Sequence, residues 1–156
     1  MTDRARGVSA AAQLPPHSFP VRVYYEDTDA AGIVYYASYL KYAERARTEM
    51  MREFGVAHAA MVEQDGVMFA VRRCEIDYLR PARLDDLLDV ETRLVEVGGA
   101  TIDAEQVVRR SGDDLVRIRI RLACLDGRGR PARLPAAVRA TLAGAGQAPH
   151  SRTPNL

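Results

Sequence analysis

From Ser38 to Phe54 apolar residues recur at spacings of three and four. Tyr39, Ala43, Ala46, Met50 and Phe54 form the series, and Lys41, Glu44, Arg45, Glu49 and Arg52 fall between them. That period predicts a helix of about four to five turns with one buried stripe, with Ser38 as N-cap and Gly55 as C-cap. Beyond it the period drops to two. Cys74, Ile76 and Tyr78 alternate with Arg73, Glu75 and Asp77 in a run from Met68 to Leu79. Leu88, Val90, Thr92 and Leu94 alternate with Asp89, Glu91 and Arg93 up to the turn signal Gly98-Gly99. The return strand Thr101 to Arg110 makes a hairpin with that run and ends near Ser111-Gly112-Asp113-Asp114. Val116, Ile118, Ile120, Leu122 and Cys124 then alternate with Arg117, Arg119, Arg121 and Ala123. An earlier run, Phe19 to Tyr25, suits a first strand with Pro20 near its start.

One long helix and a series of antiparallel strands predict an α+β architecture in which a curved five-stranded sheet wraps the helix. The chain divides into a disordered N-terminal extension (1–18), one domain (19–143) closed by a short helix around Pro135 to Leu142, and a flexible tail (144–156). A single helix cannot cover both faces of such a sheet. The late strand Leu115 to Leu125 would then carry an open edge, which calls for a second copy of the chain.

Charge narrows the partners. The 22 basic and 21 acidic residues nearly cancel, which argues against a general nucleic-acid binder or a chain held on anionic membranes by bulk charge. Lys41 is the only lysine, so arginine is the residue available to grip phosphates. No apolar run approaches the roughly 18 residues of a membrane span. The N-terminal stretch, with Arg4, Arg6 and Val8-Ser9-Ala10-Ala11-Ala12 before Pro15-Pro16, makes a poor signal peptide, and a cytoplasmic location is expected. Cys74 and Cys124 lie in strand-like runs without metal or redox spacing and are expected to be buried, reduced thiols. His17, His58 and His150 form no cluster, so no zinc site is expected. Neither a phosphate loop, a dinucleotide fingerprint nor a Gly-x-Ser-x-Gly elbow is present.

Candidate chemistry concentrates where the first strand gives way to the helix. Asp29 lies there, near backbone N–H groups that a helix start leaves unpaired and able to receive an oxyanion. By position alone an Asx-turn or cap is the commoner role for such an aspartate. A calcium loop is excluded, because Ala31 stands at the third ligand position and Ser38 at the final glutamate position. Asp27 is expected to hydrogen-bond within the loop. Gly32 suits a backbone that approaches a ligand or takes a positive φ.

The order Asp27-Thr28-Asp29-Ala30-Ala31-Gly32-Ile33-Val34, followed by Tyr36, Ser38 and Tyr39, resembles the active-site loop of hotdog-fold thioesterases. A second block, Tyr78-Leu79-Arg80-Pro81-Ala82-Arg83-Leu84-Asp85-Asp86, matches at the expected distance. The closest resemblance is to the YbgC type, the Tol-Pal-associated acyl-CoA thioesterases within the 4-hydroxybenzoyl-CoA thioesterase-like family, and it covers Phe19 to Pro135. It implies a hotdog fold, hydrolysis of acyl-CoA thioesters, Asp29 as catalytic carboxylate, and the backbone amide of Tyr36 as oxyanion donor. Many YbgC-type enzymes carry histidine where this chain has Tyr36. Gly32, Ile33, Val34, Met68 and Phe69 are expected to meet the acyl group, whose pocket should favour short to medium aliphatic chains. Arg73 and Arg83 are the leading candidates for the phosphates of coenzyme A, with Arg72, Arg128 and Arg130 beside them. The resemblance implies no metal and no cofactor, a homodimer or homotetramer, and acyl-CoA or acyl carrier protein as thioester carrier. Two other classes compete. One is a non-catalytic acyl-thioester or carrier-protein binding module beside the envelope machinery; the other is a hotdog dehydratase, for which a His/Glu pair is missing.

Overall fold

The period-two runs pair into one antiparallel sheet, seen in a computed structural model that describes residues 16–145. In chain order the elements are β1 (His17–Arg22), α1 (Ser38–Glu53), α2 (His58–Asp65), β2 (Val67–Tyr78), β3 (Leu87–Val97), β4 (Thr101–Arg110), β5 (Asp113–Asp126) and α3 (Ala136–Ala145). The strands stand in the order β1-β3-β4-β5-β2, every pair antiparallel. This is the expected α+β arrangement of one long helix on a curved five-stranded sheet. Register shifts between Val71 and Arg73, Leu94 and Glu96, and Val108 and Arg109 mark β-bulges, which bend and twist strands. The domain begins slightly earlier than expected, since His17 and Ser18 already pair with β3. Gly144 and Ala145 belong to α3 rather than to a tail. The rest of the expected extension and tail lies outside the described residues.

The stripe on α1 packs as its spacing requires. Tyr39, Tyr42, Ala43, Ala46 and Met50 are buried, as are Val90, Val108, Ile118 and Ile120, which supply the facing residues of β3, β4 and β5. Full burial of each such valine or isoleucine stabilises the fold by about 1.5–3 kcal/mol. A second cluster under the helix C-terminus joins Met50 and Met51 to Met61 of α2 and Leu142 of α3. Gly55 follows the last helical turn at φ +79°, with its N–H on the Arg52 carbonyl at 2.9 Å, as a glycine just past a helix end does. Ser38 is not the N-cap. Ala37 takes that position, and Ser38 is the first helical residue, buried under the loop that precedes it.

Three further expectations change. The edge strands are β1 and the long β2, not the late strand β5, which pairs on both sides. Alternation shows which side chains share a face but not which strands are neighbours. Cys74 is exposed, and only Cys124 is buried. Cys74 is paired with Ile120 and so shares its inward face, but α1 does not extend over β2. Finally, α2 was not apparent in the sequence, because only Met61 of its eight residues is buried.

The arginines of β5 line the outer face and meet carboxylates from the same and neighbouring strands. Arg121 pairs with Asp103 at 2.7 Å, Arg119 with Glu105 at 3.7 Å, and Arg117 with Asp114 at 2.9 Å. Exposed pairs of this kind each contribute about 1 kcal/mol at most, and they neutralise a face that the sequence pattern left strongly basic.

Candidate active site

The loop between β1 and α1 folds back on itself. A 3-10 turn at Tyr25–Asp27 reverses the chain, and an antiparallel bridge joins Thr28 to Val34. The Asp27 carbonyl accepts from the Tyr35 N–H at 2.8 Å, and the Asp27 carboxylate accepts from the Tyr24 N–H at 2.9 Å, so this buried side chain serves the loop as expected. Beside it stands the phenol of Tyr42, pushed well above its ordinary value by burial and then by the Asp27 carboxylate. At the tip, Asp29 N–H donates to the Ile33 carbonyl at 2.9 Å and Gly32 N–H to the Asp29 carbonyl at 3.0 Å. Gly32 has φ +76° with open space where a Cβ would stand, so backbone conformation rather than crowding favours glycine there.

The Asp29 side chain makes an Asx-turn, accepting from the Ala31 N–H at 2.8 Å through Oδ1. Its other oxygen has no hydrogen-bond partner among the described residues. Asp29 is half-buried and lines a cavity of about 470 Å³ with Tyr25, Thr28, Ala30, Gly32 and Leu84. Local geometry thus fixes the carboxylate and leaves one oxygen directed at solvent or ligand. The capping role and a chemical role are compatible.

Tyr36 follows on the return limb. Its ring is exposed, and its N–H makes no hydrogen bond among the described residues. The peptide that carries this N–H is nevertheless fixed, because its carbonyl, Tyr35 O, accepts from Ser38 N–H at 2.8 Å. In a trans peptide N–H and C=O point in opposite directions, so a carbonyl drawn toward the helix start turns the Tyr36 N–H away from it. Tyr78, the last residue of β2, donates its phenol to the Tyr36 carbonyl at 2.9 Å. The rings of Tyr36 and Tyr39 meet that of Tyr78 edge-on, with centroids 6.4 and 5.8 Å away.

The second sequence block supports this loop from below. Val34 N–H donates to the Ala82 carbonyl at 2.9 Å, Ala82 N–H donates to the Tyr39 hydroxyl at 3.0 Å, and Ile33 bridges Arg83. Arg83 is exposed beside the loop and forms no ion pair among the described residues, while Asp86 beneath it is held by Arg110 at 2.8 Å. Among the described residues no group of three His, Cys, Asp or Glu side chains could hold a metal ion.

Not every expected site residue gathers here. Val34 is in the core, so only its backbone borders the loop. Arg73 lies on the outer sheet face, opposite Arg121 and bonded to Glu75. Met68 and Phe69 stand at the start of β2, roughly 30 Å along the strand from Tyr78 at about 3.3 Å per residue. Phe69 is paired with buried Cys124 and shares the inward face, whereas Met68, its neighbour, points to the other. Tyr78 and Arg47 were not singled out from sequence. Both fall on inward positions of their elements, where an apolar residue is the ordinary occupant.

A curved antiparallel sheet around one long helix is the architecture of the hotdog-fold thioester hydrolases. The chain belongs to the thioesterase-like superfamily, whose sequence profile matches residues 23–142, and is of the YbgC type. It is 48% identical over 124 residues to the acyl-CoA thioesterase YbgC of Haemophilus influenzae, covering 79% of this chain and 91% of that protein. It is 40% identical over 109 residues to the acyl-CoA thioester hydrolase YbgC of Escherichia coli O157:H7, covering 69% and 81% of the two chains. Among solved structures it resembles a probable thioesterase from Bartonella henselae, with TM-score 0.75, 37% identity and coverage of 78% and 100%. It also resembles a thioesterase from Thermus thermophilus complexed with coenzyme A and Zn, with TM-score 0.72, 32% identity and coverage of 87% and 98%.

Proposed function

We propose that the protein hydrolyses acyl-CoA thioesters of short to medium aliphatic chain length, with Asp29 as nucleophile or general base and the Tyr36 amide as oxyanion donor. The observation that carries this reading is the pairing, in one loop, of a carboxylate with one free oxygen and a fixed, unpartnered N–H. A thiol leaves readily as thiolate, its pKa lying near about 8.5, so one carboxylate and an oxyanion donor suffice without a strong general acid. Asp29 then either attacks the carbonyl to give an anhydride or removes a proton from the attacking water. Arg83 is the basic side chain placed to meet a phosphate of coenzyme A. An acyl carrier protein would present the same thioester.

The site is completed by a second copy. The free edge of β2 is twelve residues long, with Val71 and Tyr78 about half exposed on its inward face. Antiparallel pairing of two such edges sets the start of one β2 beside the end of the other. Phe69 of a second copy would then stand near Tyr78 and Tyr36 and close the acyl pocket, with Arg128 and Arg130 of that copy toward its mouth. A dimer is the minimum unit and a tetramer the fuller assembly. We place the protein in the cytoplasm, beside the Tol-Pal envelope machinery, as the resemblance to YbgC-type thioesterases implies.

Thiol release from a panel of acyl-CoAs tests this. Asp29→Asn should lower turnover at least about a hundredfold with the fold intact, in line with losing a general base. Near-wild-type release by the variant would overturn the role of Asp29. A wild type that binds acyl-CoAs but cleaves none would establish the non-catalytic binding module instead.

A further inference from the structure

Arg47 is nine-tenths buried on α1 and has no acidic partner within ion-pair distance among the described residues. Its Nη1 donates to Gln106 Oε1 at 2.9 Å. Gln106, fully buried on β4, is itself fixed, since its Nε2 donates to the Ala43 carbonyl and to Thr92 Oγ1, each at 2.9 Å. Flipping that amide would break the bonds to Arg47 and to the Ala43 carbonyl, so the Gln106 carbonyl is held facing the guanidinium. Glu44, one turn earlier on the helix, is exposed and accepts instead from Thr48 Oγ1 at 3.0 Å. A buried cation without a counter-charge is costly unless something supplies one. The remaining N–H groups of Arg47 have no protein acceptor among the described residues.

Gln106 pairs with Ile118, which pairs in turn with Ile76, so the bond from Arg47 lies in the same inward-facing row as Ile76 of β2. The exposed Val71, Cys74 and Tyr78 leave an open groove along the inward face of β2 beside α1. Tyr36 and Tyr78 close one end, Arg47 and Cys74 the other, and the half-exposed Leu40 stands on the helix wall between them. Two independent rulers agree on its length. Ser38 to Arg47 spans about 13 Å at the helical rise of 1.5 Å per residue, and Tyr78 to Cys74 spans about 13 Å at the strand rise of 3.3 Å.

We infer that Arg47 is a specificity-determining residue that binds a carboxylate at the far end of a medium-length acyl chain. The inference rests on the proposed reading of Asp29 and Tyr36, because the thioester carbonyl at the Tyr36 amide is what points the acyl group down this groove. A planar, permanently charged fork with several free donors, held by an immobilised amide, is suited to a carboxylate. The same charge limits plain aliphatic chains, since a methyl end pressed against a guanidinium removes water from it and offers no acceptor. The preference for short to medium aliphatic groups and the acceptance of longer dicarboxylic ones thus have one cause.

The experiment compares kcat/KM of the wild type for adipoyl-, suberoyl- and sebacoyl-CoA with that for hexanoyl-, octanoyl- and decanoyl-CoA. The expected ratio of carboxylated to plain substrate exceeds tenfold at one of these lengths, falls at least tenfold in Arg47→Met and is partly kept in Arg47→Lys. The wild-type ratio alone decides the matter if the methionine variant does not fold. Equal or lower activity on the carboxylated series at every length would overturn the inference while leaving the thioesterase reading intact, whereas no hydrolysis of either series would defeat that reading. An Arg47→Met protein that loses dimer mass while the wild-type ratio stays near one would assign the arginine to the subunit interface and also overturn the inference.

Discussion

The hydroxyl of Tyr78 and the carbonyl oxygen of Tyr36 are 2.9 Å apart, joining the end of the open edge strand to the residue that opens the path into α1. This bond fixes the peptide adjoining the one that carries the free amide, with the Ser38 to Tyr35 bond on its other side.

Removing that phenol should therefore affect the chemical step more than binding. Tyr78→Phe keeps the ring edge-on to Tyr36 and Tyr39 and deletes one hydrogen bond, a net loss of about 0.5–1.5 kcal/mol. The expected outcome is a kcat reduced up to about tenfold with KM little changed, measured by thiol release. A change confined to KM would show that Tyr78 only shapes the entrance.

Val71 tests the assembly. It is 54% exposed and inward-facing on β2, so aspartate there costs a lone subunit little, whereas a paired edge would bury the new charge. Val71→Asp should raise the dimer dissociation constant at least tenfold, read by light scattering across a dilution series. A wild type that is monomeric at micromolar concentration would remove the pairing altogether.

Acyl length separates Phe69 from Met68. Where a pocket accepts one more methylene, the gain is about 0.8 kcal/mol, so kcat/KM should climb with chain length and then fall. Phe69→Ala should move the maximum to longer chains. Met68→Ala, on the opposite face of the same strand, should leave the maximum where it is. The reverse pattern would mean that the outer face of β2 lines the pocket.

Asp114 contributes to acid stability. Its carboxyl is held below the usual range first by the Arg109 bond and then by Arg117. A carboxyl with a depressed folded-state pKa contributes stability that is present above its unfolded value near about 3.9 and is lost as pH falls through the lower folded value. Asp114→Asn should thus lower Tm at pH 7, and the difference should shrink as pH falls below about 3.9 and close once it is below the folded value. A constant Tm difference down to pH 2 would show that the aspartate matters for some reason other than its charge.

The sequence announced the regular elements because each has one covered face: Tyr39, Ala43, Ala46 and Met50 on α1, Ile118 and Ile120 on β5. It misled where covering and periodicity part company. Cys74, Ile76 and Tyr78 alternate as well as any buried strand does, yet Cys74 and Tyr78 are exposed, because β2 lies at the end of the sheet while α1 packs chiefly on β1, β3 and β4. Strand order follows from contacts distant in sequence, such as Cys74 with Ile120, which a local pattern does not encode. The site divides in the same way. Asp29, Gly32 and Tyr36 occupy one short loop and were legible as a motif. Tyr78 and Arg47 reach the groove from other elements, each at an inward position whose spacing predicts only a core residue.

The loop from Tyr24 to Tyr36 binds its own donors and acceptors: Asp27 to Tyr24 and Tyr35, Asp29 to Ala31, Gly32 and Ile33. If this loop is the catalytic segment proposed above, it carries its working shape before substrate arrives, and little ordering entropy remains to oppose binding. On heating, loss of turnover should then coincide with cooperative melting of the whole domain instead of preceding it.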